Sequence, residues 1–134
     1  RDLIVATCGT ATTIDAVSAQ GAFLGGMIVP GLALMTAALA RNTAQLPQIS
    51  LHANPDRPFA DHTDAAIASG CLAAQAGAIE RAVAAQRQMT GSGEVTCILA
   101  GGAADLIAPQ LSLPHLRIDN LVLIGLQTVA TSSC

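Results

Sequence analysis

A chain of 134 residues carrying a net charge of −3 has room for one domain with a buried core and little room for two. It is 51% hydrophobic and 11% charged, with a mean hydropathy of +0.53, a balance that excludes a disordered chain and leaves little charged surface. The basic residues Arg1, Arg41, Arg57, Arg81, Arg87 and Arg117 are scattered, Trp and Tyr are absent, and no apolar run reaches the ~20 residues that cross a bilayer, so neither nucleic acid nor membrane is expected as a partner.

Leu3 to Thr7, Thr12 to Val17 and Phe23 to Val29 are short runs rich in β-branched or apolar residues, and they predict three strands. Cys8-Gly9-Thr10 and Ser18-Ala19-Gln20-Gly21 break them with turn residues, so an antiparallel meander is expected. Pro30 opens a helix that carries Leu32, Leu34, Met35 and Leu39 and ends at Asn42 and Thr43. From Pro47 to Asp61 three prolines and the lack of periodicity predict a surface loop.

Asp61, Thr63 or Asp64 can cap a long Ala-rich helix running toward Met89, with Ile67, Cys71, Leu72, Ile79 and Val83 near one face. Gly91-Ser92-Gly93 ends it, Val95 to Ala100 predicts a buried strand, Ala103 to Leu111 a helix, Leu116 to Ile118 a short strand, and Leu121 to Ala130 a last helix. The expected fold class is α/β with a mixed sheet, in the order β-β-β-α-β-α-β-α. That is the topology of a ribonuclease H-like domain, as found in pairs in the actin-like ATPase and sugar kinase superfamily.

Cys8, Cys71, Cys97 and Cys134 form no CxxC pair, and three of them sit in apolar segments where a thiol behaves as a small hydrophobe. A reduced, cytoplasmic and metal-free chain is the expectation. The start at Arg1, without Met and three residues before a strand, reads as a fragment.

The chemistry-bearing segments are glycine turns. Gly9-Thr10-Ala11-Thr12-Thr13-Ile14-Asp15 puts a glycine and hydroxyls at a hairpin, where backbone N–H groups and a Thr hydroxyl can face a phosphate, or which can be an ordinary hairpin. Ala100-Gly101-Gly102-Ala103 follows a strand and opens a helix, so backbone can approach a ring or phosphate, or the pair can be structural. Gly25-Gly26 and Pro30-Gly31 give a close-packed entry to the first helix, and Asn42-Thr43 either caps its far end or offers polar groups to a small molecule. Among the acids only Asp15 adjoins a glycine turn; Asp61, Asp64 and Asp119 read as caps, and His52, His62 and His115 lack ligand spacing.

Taken in order, GTATTID (Gly9 to Asp15), FLGGMIVP (Phe23 to Pro30) with Gly31, NTAQLP (Asn42 to Pro47), AIASG (Ala66 to Gly70), AGAIE (Ala76 to Glu80), AGGA (Ala100 to Ala103) and LVLIGL (Leu121 to Leu126) resemble the type III pantothenate kinases, a family that includes the Bvg accessory factors. The resemblance covers nearly the whole chain. It implies the C-terminal half of a dimeric, two-domain enzyme that phosphorylates pantothenate with Mg²⁺-ATP, the first step toward coenzyme A. It further implies ATP contacts at Gly9, Thr10, Gly101 and Gly102 and a pantothenate contact at Thr43. The catalytic Asp and the first phosphate loop would lie in an N-terminal half that this chain lacks. Thr7 stands where many members have an Asp that binds a monovalent cation, K⁺ or NH₄⁺, which puts that ion in doubt here. The alternative reading is a non-catalytic accessory or regulatory protein of the Bvg accessory factor type.

Overall fold

The computed structural model describes residues 1–42, 51 and 58–120. Its strands are β1 (Asp2–Cys8), β2 (Ala11–Val17), β3 (Phe23–Pro30), β4 (Val95–Ala100) and β5 (Leu116–Arg117), and its helices are α1 (Leu32–Asn42), α2 (Thr63–Thr90) and α3 (Ala104–Ile107), followed by a 3₁₀ turn over Ala108–Gln110. The strands form one mixed sheet in the order β3-β2-β1-β4-β5. β1 pairs antiparallel with β2, and β2 with β3, so the expected meander is present, while β4 lies parallel to β1 and β5 parallel to β4.

Alternation along β1 explains its central place. Asp2, Ile4, Ala6 and Cys8 are buried while Leu3, Val5 and Thr7 are half-buried on the opposite face. Register puts Ile4 beside Cys97 and Ala6 beside Ile14, so one apolar face is continuous across three strands. α2 lies on that face and contributes Ile67, Cys71, Leu72, Ile79 and Val83, the positions its helical spacing predicts. Each of the fully enclosed side chains among these, such as Leu72 and Ile79, contributes about 1.5–3 kcal/mol by leaving water. β3 is an edge strand, and Phe23 and Ile28 stand exposed on the sheet's other face.

Two buried amides tie α2 to the sheet. Gln75 is fully buried; its Oε1 accepts from the Thr12 hydroxyl at 2.6 Å and its Nε2 donates to the Pro30 carbonyl at 2.7 Å. Gln86 Nε2 donates to the Val17 carbonyl at 2.9 Å. A buried amide left without such partners would be costly, so these bonds fix the height of the helix over the strands.

Several expectations need correction. Two helices, α1 and α2, stand between β3 and β4, where the residue-by-residue reading put both and the expected order β-β-β-α-β-α-β-α carried only one. The N-cap position of α2 is His62, with no side-chain cap bond, and Asp61 instead pairs with His62 Nδ1 at 3.2 Å. Asp64 sits inside the first turn, where its charge suits the helix dipole. The helix expected over Ala103 to Leu111 splits into α3 and the 3₁₀ turn, because Pro109 has no N–H to continue the α ladder. Gly91 ends α2 in the left-handed conformation, φ 70°, and its N–H bonds to the Arg87 carbonyl, as a glycine stop should. The helix expected over Leu121 to Ala130 and the body of the expected loop after Pro47 lie outside the described residues.

Candidate functional site

Because β1 and β4 are parallel neighbours, their carboxyl ends emerge side by side, and each is followed by a glycine turn. Thr7 pairs with Ala100 at this edge, which brings Gly9-Thr10 next to Gly101-Gly102 although 90 residues separate them in the chain. The crevice beyond the carboxyl ends of strands is where open α/β sheets place their ligands.

The glycines of this edge differ in what they do. Gly101 has φ 98°, and a Cβ there would stand 2.6 Å from the Cys8 carbonyl oxygen, so the turn closes on β1 only with glycine. The Ala103 N–H donates to the same carbonyl at 3.0 Å. Gly102 is exposed, and a Cβ on it would meet nothing within 4 Å, so its bare backbone faces open space. Gly9 spends its N–H within the turn, on the Ala11 carbonyl at 3.1 Å. Thr10 is exposed and its hydroxyl makes no hydrogen bond among the described residues.

Gly31 supports the hairpin from beneath. Its N–H donates to the Thr10 carbonyl at 2.9 Å, and any Cβ would collide with the carbonyl oxygens of Gly9 and Thr10. Pro30, one residue earlier, is the end that Gln75 holds. A cavity of about 810 Å³ starts at Pro30 and runs between α1 and α2, lined by Met35, Leu39, Ile67, Gly70 and Cys71 among others. Its walls are almost entirely apolar. Thr43 would follow α1 at the far end, but it lies outside the described residues.

The sequence reading missed Arg117, counted there among scattered basic residues. β5 carries it to the glycine edge, where its Nη2 donates to the Gly101 carbonyl at 3.2 Å and its Nε to Asp105 Oδ1 at 3.0 Å. Its Nη1 lies 3.1 Å from Asp119 Oδ1, so Asp119, expected as a cap, is an ion-pair partner instead. Nothing in local spacing marks this cluster, because the parallel pairing of β4 with β5 creates it. Burial pushes the Cys8 thiol up from its ordinary pKa, and the nearby Arg117 charge pulls in the opposite direction.

The carboxylates near the glycine turns do not gather for a protein-held metal ion among the described residues. Asp105 and Asp119 are engaged by Arg117, and a Cβ on Gly26 would stand 2.6 Å from Asp15 Oδ1, so that carboxylate lies on β3. Among the described residues no group of three or more His, Cys, Asp or Glu could hold a metal. Thr7 offers a neutral hydroxyl where the resemblance would place an Asp.

A family model for type III pantothenate kinase matches residues 1–85. The chain belongs to the type III pantothenate kinase family. Curated type III pantothenate kinases from Herminiimonas arsenicoxydans and Janthinobacterium sp. (strain Marseille) are 73% and 70% identical to it, over 97% and 96% of this chain but only 50% and 49% of their own length. One from Cupriavidus pinatubonensis is 52% identical over 97% of the chain. The chain therefore spans about half the length of the family members it matches. A solved structure described as a Baf family transcriptional activator from Campylobacter jejuni superposes with a TM-score of 0.71 over 97% of this chain and 57% of its own, at 21% identity, a likeness of fold. For a type III pantothenate kinase family chain, the structure brings together four of the residues singled out in the sequence, Gly9, Thr10, Gly101 and Gly102, and leaves Thr43 unplaced.

Proposed function

We propose that this chain is the C-terminal, ribonuclease H-like domain of a two-domain pantothenate kinase, which transfers a phosphoryl group from ATP to pantothenate to give 4′-phosphopantothenate. The observation that carries the reading is the pair of glycine turns side by side at the carboxyl ends of β1 and β4, in a chain of this family. The sheet order, an antiparallel meander continued by parallel strands, suits a ribonuclease H-like domain.

In this reading the hairpin at Gly9 and Thr10 receives the ATP phosphates, with the free Thr10 hydroxyl as a donor. The Gly101-Gly102 turn receives the adenosine: Gly101 sets the backbone path and Gly102 leaves it bare. Thr43 contacts pantothenate at the end of α1. The base that accepts the pantothenate hydroxyl proton, an Asp, belongs to the N-terminal half, so this chain by itself holds substrates without completing the reaction. Mg²⁺ would accompany ATP, but no step here runs through it, because Asp105 and Asp119 beside the Gly101-Gly102 turn are engaged by Arg117. Thr7 lacks the charge to hold K⁺ or NH₄⁺ as an Asp would.

The partner is a second copy of the chain, in the cytoplasm. α2 exposes a stripe of small residues, Ala66, Gly70, Ala73, Ala74 and Gly77, beside the apolar cavity, and such a stripe lets a facing helix approach closely. Sedimentation of the full-length protein as a dimer is the expected outcome.

A coupled ADP-release assay on the full-length protein with pantothenate and Mg²⁺-ATP tests the reading. Pantothenate-dependent turnover is expected, with an ATP KM raised about tenfold, ~1.4 kcal/mol, in Thr10→Ala for loss of one hydrogen bond to a charged phosphate. Absence of turnover from a folded dimer, with and without K⁺, would move the protein to the accessory class.

A further inference from the structure

We propose that Arg117 is a positioning residue for the nucleotide: its guanidinium holds the Gly101-Gly102 turn at the spacing from the Gly9-Thr10 hairpin that a bound ATP spans. The inference rests on the kinase reading of those two turns.

The turn is held by few groups of its own. Gly101 and Gly102 have no side chains, and within the turn the Gly101 carbonyl accepts only the Ala104 N–H, at 3.2 Å, among the described residues. On the β1 side it is fixed by the contact of Gly101 with Cys8 and the bond from the Ala103 N–H to the Cys8 carbonyl. On the β5 side the only side chain bonded to it among the described residues is Arg117, through Nη2 to the Gly101 carbonyl. Every nitrogen of the fork has a different partner: Nε binds Asp105 at the start of α3, Nη1 binds Asp119 and the Ile118 carbonyl, and Nη2 binds the turn. The fork therefore joins the turn, Asp105 of α3 and the segment that follows β5.

The burial pattern separates this role from ordinary surface pairing. The Arg117 side chain is 29% exposed, whereas its carboxylate partners are 82% and 81% exposed. Exposed carboxylates add little to stability through such pairs, so the cluster contributes geometry more than folding energy. They also neutralise the guanidinium, which makes it a poor direct ligand for phosphate and a good strut. A lysine would keep the charge and lose the planar fork that reaches three partners at once.

The test is steady-state kinetics and thermal melting of the full-length protein carrying Arg117→Ala, Arg117→Lys or Asp105→Asn. Both Arg117 variants are expected to raise the ATP KM about tenfold while kcat and the pantothenate KM stay within about twofold, and Asp105→Asn to give a smaller rise of about threefold. An unchanged ATP KM overturns the inference. So does a parallel rise in both KM values with a fall in Tm, which marks a general structural role, or full rescue by Arg117→Lys, which marks charge alone. If the wild-type protein shows no pantothenate-dependent turnover, the kinase reading fails, and an ADP-binding titration then decides the inference: weaker ADP binding in Arg117→Ala supports it, and equal binding, or none by the wild type, overturns it. Should Arg117→Ala not fold, Arg117→Lys and Asp105→Asn carry the same comparison.

Discussion

The two ends of the sheet are built on opposite plans. At the amino end of β1, side chains bridge the elements: Asp2, 4% exposed, accepts from the Ala19 N–H at 2.8 Å and the Thr90 hydroxyl at 2.6 Å, and Gln86 Nε2 donates to the Val17 carbonyl close by, its Oε1 having no partner among the described residues. At the carboxyl end the chain turns through Gly9, Gly31, Gly101 and Gly102, with backbone packed on backbone at Gly31 and Gly101 and an exposed Thr10 whose hydroxyl makes no hydrogen bond among the described residues. One end joins the last turn of α2 to the strands, and the other leaves the Gly102 backbone and the Thr10 side chain exposed. Stability is thus concentrated where no ligand is expected, and the end with bare backbone is the one able to take up a charged, flat molecule.

That contrast breaks most sharply at Gly31. Gly31→Ala drives a methyl group into the carbonyls of Gly9 and Thr10, and the expected loss is about 3 kcal/mol of unfolding free energy, read by denaturant melts. Gly102→Ala is the matched control on the same edge: its Cβ enters open space, so stability should change by less than about 0.5 kcal/mol while the ATP KM of the full-length protein rises. Equal stability losses at the two positions would remove the distinction between a glycine that packs and a glycine that faces a ligand.

At the closed end, Asp2→Ala removes the bonds that its carboxylate accepts from the Thr90 hydroxyl and the Ala19 N–H, leaving Thr90 only its bonds to the Gln86 carbonyl and the Ser92 N–H. About 2 kcal/mol should be lost, with nucleotide affinity unaltered, because the change lies at the far end of β1 from the turns. A weakened nucleotide site in that variant would show that the two ends are coupled through β1 rather than independent.

Local chemistry made most of the scaffold legible. Short apolar and β-branched runs marked β1 to β4, and Gly91 stopped α2 where a left-handed residue was required. It also marked both glycine turns, since Gly-Thr after a strand and Gly-Gly before a helix are written in adjacent residues. What escaped depends on pairing between distant segments. Arg117 looks like any surface arginine until β5 sets it beside Gly101, and Asp119 looks like a cap until Arg117 claims it. The α2 cap was misjudged because Asp61 finds His62 first, and the helix over Ala103 to Leu111 was drawn too long because Pro109 cuts it short. The sequence left the Gly-Gly pair open between ligand access and a structural role, and Gly101 has the structural one, being glycine because Cys8 is in the way.

The smallest predicted effect concerns the thiols that run beneath both ends. Cys97, 1% exposed on β4, has its pKa pushed up to about 11 by burial first and by neighbouring Cys8 second, and Cys8 is raised by burial as well. A folded-state pKa above the unfolded one means that the fold prefers the protonated thiol. This contribution is complete below the unfolded pKa near 9 and is lost as pH rises toward 11. The chain contains no Tyr, and its six Lys and Arg residues are all arginine, so no other type of side chain titrates in that window. Melts of the chain at pH 8 and pH 10 should differ by about 1 kcal/mol, and Cys97→Ala should flatten the difference although it lowers stability overall. Alkylation of Cys97 at pH 8 should track global unfolding rather than proceed in the native state. Rapid native-state alkylation would mean that the β1 and β4 core opens locally, and then the closed end of the sheet would not be the stable anchor that its hydrogen bonds describe.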